Sequence, residues 1–176
     1  MPVDLTMNDL LDYSDWERRK WFDWMRDRGD DVLTVSTGLH GDGRFATVGE
    51  LVRHIFSAEK RYVERLSQRP ISDTSTIPTD NIEALYQLAV QGRRELREFI
   101  ESLPARDWDR SREFRLMNII VTATPKKIVT HIMFHEIRHW AQIATLWRLN
   151  GLKEDFHDFL FSPVMGGELR RETQTA

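Results

Sequence analysis

Four stretches of about twenty residues keep apolar side chains at helical spacing, and each is bracketed by residues that start or stop a helix. The first is expected from about Asn8 to Arg28, with Thr6 as its N-cap and Gly29 as its stop. Its Leu11, Trp16, Trp24 and Met25 can face a core, and Trp21 and Phe22 broaden that stripe. The second opens at Thr47, which forms a capping-box pattern with Glu50, and runs to Leu66. The third begins at Asp80, keeps Ile82, Leu85, Leu88, Ala89, Leu96 and Ile100 in register, and ends at Pro104. The fourth starts at Thr124-Pro125, since proline suits the first helical position, and closes at Asn150-Gly151.

The connections are long. Residues 30–46 carry Gly38, Gly41 and Gly43, and Pro70 to Pro78 is rich in Ser, Thr and Pro. Between the third and fourth helices, residues 114–121 suit a short extended pair. Residues 152–165, with Phe156, Phe159, Leu160 and Phe161, are expected to pack back as a short helix or turn. Residues 166–176 read as a flexible tail. The pattern predicts an all-α protein, an antiparallel four-helix bundle in one domain over residues 1–165.

Composition narrows the partners. Twenty-five basic and 28 acidic residues give a net charge of −3, which offers no footprint for nucleic acid. Cysteine is absent, so a metal must take nitrogen or oxygen ligands and any thiol must come from outside. The N-terminal residues show no secretory pattern, and no apolar run approaches the roughly 18 residues of a membrane span. A cytoplasmic protein without membrane or nucleic-acid partners is the expectation.

Chemistry concentrates in the fourth helix, where His131, His135 and His139 follow one another at four-residue spacing. Advancing about 100° per residue from Ile128 puts Ile132, His135, His139, Ile143 and Leu146 in one sector of roughly 80°. His131 and Gln142 fall at its margin. Two imidazoles inside an apolar stripe need partners for their nitrogens, and a divalent cation supplies one. On the second helix His54 lies beside the stripe of Leu51, Ala58, Tyr62 and Leu66, where it can provide a third ligand. His40 and His157, in or near loops, receive no role.

A second apolar band on the fourth helix, Met133, Ile137, Trp140, Ala144 and Trp147, has a counterpart in Val52, Phe56 and Val63. Bands on two sides predict either wrapping by the same chain or an oligomer. A homodimer with Trp140 and Trp147 at its interface is the expectation. Arg61 and Arg65 follow His54 on nearly the same face, fit to hold an anionic substrate or, as is commoner, to form solvated ion pairs.

The helix bearing His54, and the last helix with His131, His135, His139 and Gln142 ending in Leu-Trp-Arg-Leu-Asn-Gly151, resemble the DinB-like family of damage-inducible four-helix proteins. The resemblance implies an up-down-down-up bundle, usually dimeric. It also implies a divalent metal, zinc first and otherwise nickel or iron, on His54, His135 and His139. Some relatives are transferases or isomerases that use low-molecular-weight thiols such as bacillithiol or mycothiol with a small-molecule substrate. Where that family often has Arg-Gly-Gln after the last histidine, this chain has Trp140-Ala141-Gln142.

Two other readings compete with a metal-dependent thiol enzyme. One is a non-catalytic metal-binding stress-response module, or a dimer with no metal at all. The other is a zinc hydrolase, since His135-Glu136-Ile137-Arg138-His139 matches the His-Glu-x-x-His pattern with glutamate as base. The glycine-containing version of that pattern fails at Gln142 and Thr145, and Glu136 reads better as a boundary residue beside the ligands.

Overall fold

A computed structural model describes residues 5–40, 43–116, 118–154 and 157–166. Its main elements are four helices, α1 (Met7–Arg28), α2 (Val48–Leu66), α3 (Ile82–Ser102) and α4 (Pro125–Leu149). Strands β1 (Arg112–Leu116) and β2 (Ile119–Ala123) lie between α3 and α4 and pair antiparallel, Phe114 opposite Val121. The extended pair expected there is present and slightly longer. The segment after α4 makes a 3-10 turn at Phe159–Phe161, while Phe156 and residues 167–176 fall outside the described residues.

Local chemistry explains the helix ends. The Thr6 hydroxyl accepts from the Asp9 amide at 3.1 Å, and the Asp9 carboxylate accepts from the Thr6 amide at 2.8 Å, a complete capping box. At α2 only half of the expected box forms. Thr47 accepts from the Glu50 amide, but the Glu50 carboxylate reaches past it to the Ala46 amide at 2.7 Å. Asn81, rather than Asp80, caps α3 through the Ala84 amide. Gly151 follows α4 at φ +77°, in the left-handed region where glycine has no Cβ penalty.

α2 packs against α3 and α4, and α1 against α4 and α3. A Cβ on Gly49 would stand 1.7 Å from the carbonyl oxygen of Thr79, so only glycine lets the loop before α3 cross the first turn of α2. That loop is fastened by charge. Lys60 lies 2.8 Å from Glu95, Arg69 lies 2.6 Å from Glu95, and Glu64 accepts from the Ser72 amide at 2.9 Å.

The apolar interior has two parts. One contains Trp21, Phe22, Met25, Leu51, Phe56, Leu85, Trp140 and Trp147; the other contains Leu11, Val63, Leu96, Phe99, Ile128 and Met133. Between them in sequence, on every helix, falls a buried charge or its partner: Arg18 on α1, Glu59 on α2, Arg93 on α3 and Glu136 on α4. Arg18 Nε donates to Glu136 at 2.6 Å, and Arg93 donates to Glu136 at 3.0 Å and to Glu59 at 3.2 Å. Arg18 also pairs with Glu59. Two positive and two negative groups balance, which is what makes their burial tolerable.

Trp140 and Trp147 are not available to a partner chain. Both are buried in the core of their own chain, where Trp21 of α1 stacks on Trp140 with ring centroids 5.5 Å apart. Trp147 donates its indole N–H to the Val32 carbonyl at 3.0 Å, and Trp140 donates to Glu136 at 3.2 Å. Val52, Phe56 and Val63 are likewise fully buried. The second band is thus wrapped by the chain itself. Trp16, expected in the core, is only half-buried and stacks on Tyr13.

Candidate metal centre

α2 and α4 carry His54, His135 and His139 to one place. One nitrogen from each ring lies within 4.8 Å of the other two. The Nε2 atoms of His54 and His135 are 3.1 Å apart. Two nitrogens each about 2.0–2.1 Å from a shared ion, at angles between about 90° and 109°, stand about 2.9–3.4 Å apart. The His54–His135 separation lies inside that window, the His139 nitrogen lies within 4.8 Å of both, and three imidazoles are a donor set that zinc, nickel or iron accepts. The residues present fit a divalent ion.

Each ring is held differently. His139 is buried, and its Nδ1 lies 3.0 Å from the side-chain oxygen of Gln142, one turn further along α4. An N–H at Nδ1 donating to that oxygen leaves Nε2 with its lone pair free for a metal. His135 is half-buried, and burial, then the neighbouring imidazoles of His139, His54 and His131, pushes its pKa down to about 3. It is therefore neutral near pH 7, the form that ligates. His54 is half-buried with Phe45 against its ring at 4.7 Å. His131 is exposed, its ring 5.6 Å from that of His135 and 5.2 Å from Tyr62, which places it beside the cluster rather than in it.

Glu136 departs from its expected place. It is not a boundary residue beside the ligands but lies buried in the ionic cluster. Its carboxylate accepts from Ser14 at 2.6 Å, from Arg18, from Arg93 and from Trp140. Burial opposes its ionisation, yet the two guanidiniums outweigh that and hold its pKa well below the usual carboxylate range. A carboxylate so occupied has no lone pair to spare for a water at the histidines, so the hydrolase motif is matched in letters without its base.

Sequence reasoning also passed over the four-helix charge cluster. Its signal was present: Arg18, Glu59, Arg93 and Glu136 all fall at helical spacing from core residues, where a charge is expensive unless paired. His157, assigned nothing, packs its ring on Trp21 at a centroid distance of 3.5 Å with Nδ1 3.0 Å from Glu17. Together with Tyr13, Ala141 and Arg148 it lines a cavity of about 560 Å³ on the side of α4 away from His135. The structure gives no side-chain placement for His40. Arg61 and Arg65 form none of the expected ion pairs among the described residues; Arg61 donates to the Ser57 carbonyl at 3.0 Å, and Arg65 lies over the Tyr62 ring at 5.8 Å.

Among the described residues, no helix is long and apolar enough to cross a membrane. A search of curated proteins finds no match. The family model described as DinB family matches residues 1–169, a span that takes in all four helices and both histidine-bearing segments, and by that match the chain belongs to the DinB family.

Proposed function

We propose that this protein binds one divalent metal ion, zinc first among zinc, nickel and iron, through His54, His135 and His139. On this reading it uses the ion as a transferase or isomerase with a low-molecular-weight thiol. The observation that carries the reading is the approach of three imidazole nitrogens within 4.8 Å, from helices that are distant in sequence. An ion held by three neutral imidazoles keeps open positions and supplies Lewis acidity to a thiol or carbonyl there. The chain itself contributes orientation. Gln142 fixes the His139 tautomer, Phe45 shields one side of His54, and the half-exposed edges of His54 and His135 leave an approach from solvent. Because the chain has no cysteine, the thiol arrives as a cosubstrate.

The scaffold for this centre is an up-down-down-up bundle within a single domain. In sequence order α1 and α4 pass from the Leu11–Ile128 part of the core to the Trp21–Trp140 part, and α2 and α3 pass the other way. Pairing into a homodimer, implied by the family, then falls to surfaces other than the buried Trp140 and Trp147; Phe134, Ile119 and Ile120 are exposed apolar side chains of α4 and β2. A cytoplasmic setting, where free thiols are kept reduced, suits the chemistry.

Elemental analysis of untagged protein tests the metal. Near one ion per chain is expected, falling to background in His54→Ala and in His139→Ala while both stay folded. Wild-type protein that takes up no zinc, nickel or iron at micromolar concentration ends the reading. A thermal-shift screen of loaded protein with and without thiols separates the enzyme from a non-catalytic module, which thiols leave unmoved.

A further inference from the structure

The arginines Arg18, Arg26, Arg93 and Arg97 each lie within 4 Å of a carboxylate, buried or exposed. Arg61 and Arg65, like Arg53 and Arg112, do not, among the described residues, and what distinguishes the first two is their place on the face of α2 that carries His54. Their position is not arbitrary. They follow His54 on α2 by seven and eleven residues, two and three turns along nearly the same face. The Arg61 Nε donates to the Ser57 carbonyl at 3.0 Å, which folds the guanidinium back along α2 toward the turn that carries His54.

Arg65, one turn further along α2, is connected to the histidines through successive ring contacts. Arg65 lies over Tyr62 at 5.8 Å, Tyr62 meets His131 edge-on at 5.2 Å, and His131 stands 5.6 Å from His135. Phe114 of β1 closes on Tyr62 from the hairpin side at 6.3 Å. Both arginines are half-buried, a setting in which an unneutralised guanidinium is held at a cost that an incoming anion relieves.

We infer that Arg61 and Arg65 form an anion subsite, so that the small molecule brought to the three-histidine centre carries a carboxylate or phosphoryl group seated on these arginines. The inference rests on the metal reading above. It selects among ligands: a thiol with such a group binds with its sulfur toward the histidines and its anion along α2, whereas a neutral thiol of similar size gains nothing from the arginines.

Cobalt-loaded protein tests it, because a thiolate reaching cobalt gives a near-ultraviolet charge-transfer band. Mercaptosuccinate is expected to bind at least about ten-fold more tightly than 2-mercaptoethanol. In Arg61→Gln/Arg65→Gln that preference should vanish, with the cobalt ligand-field spectrum and 2-mercaptoethanol affinity unchanged. Competition by acetate or by inorganic phosphate then tells which anion the pair prefers, and failure of both to compete contradicts the subsite. Cobalt binding with equal affinity for the two thiols, or with a preference that survives in the double variant, overturns this inference alone. A protein that takes up no cobalt removes the metal reading and this inference with it.

Discussion

The Nε2 atoms of His54 and His135 lie 3.1 Å apart, although 81 residues separate them in the chain. Nothing in the backbone of either helix forces that approach. It follows from α2 packing on α4 with both rings turned to the same groove. Two neutral imidazoles at that distance repel through their lone pairs unless a proton or cation lies between them. Burial, together with the imidazoles around it, keeps His135 neutral near pH 7, so what lies between the two nitrogens is either the N–H of one neutral ring or, on the metal reading, the ion.

The Gln142 side chain sets the tautomer of His139 through the 3.0 Å contact at Nδ1. Gln142→Leu should weaken metal binding by about 10–100-fold, the usual range for losing an outer partner of a ligating histidine, without unfolding the chain. Competitive titration against a chromophoric chelator measures it. Unchanged affinity would mean that the glutamine is only a spacer.

Replacing Glu136 should damage the fold rather than the metal centre. Glu136→Gln removes one negative charge from a cluster that holds two buried guanidiniums, with an expected loss of about 3–5 kcal/mol. Urea unfolding reports the loss, and metal analysis of the native fraction should still find the ion. A variant as stable as wild type would contradict the structural role assigned here.

Gly49→Ala offers a test of the crossing between α2 and the loop before α3. The added Cβ would press on the Thr79 carbonyl from 1.7 Å, and backbone cannot step aside as a flexible side chain can. Destabilisation of about 3 kcal/mol or more is expected, at the upper end for overpacking. Gly151→Ala, at an open turn with positive φ, should cost about 1 kcal/mol.

Acid should loosen the charge clusters. Glu136 and Glu95 are each opposed by burial but held below their ordinary value of 4.5 by Arg18 and Arg93 and by Lys60 and Arg69 respectively. For carboxylates with a depressed folded pKa, the stabilisation is complete above the unfolded value. It is lost as pH falls from about 4.5 through the folded pKa. Half-buried His135, with its pKa pushed from 6.5 down to about 3, adds a loss of its own, because the unfolded chain takes up a proton there that the folded chain refuses. Urea midpoints measured on metal-free protein from pH 7 down to pH 3 should therefore decline below about pH 6.5 and then drop more steeply below about 4.5. Glu95→Gln should remove part of that drop; an identical profile would show that its pairs carry no linkage.

Some features were readable because they depend on neighbours in sequence. Caps at Thr6 and Thr124, the stop at Gly151, the four helical periods and the stacking of His135 over His139 all follow from spacing along one segment. Glu50 shows the limit even there, since its carboxylate chose Ala46 over Thr47. The chain alone thus determined four helices, their faces and the residue types able to ligate.

Tertiary packing decided how those faces meet. The apolar band of Trp140 and Trp147 is equally suited to a partner chain or to α1, and only the stacking of Trp21 with its indole neighbours settled that α1 takes it. Glu136 follows His135 by one residue, about 100° around the helix, which turns it into the buried cluster instead of toward the three histidines. Periodicity assigns a residue to a face, but the element covering that face is chosen by contacts between distant segments, and those contacts carry no local signature.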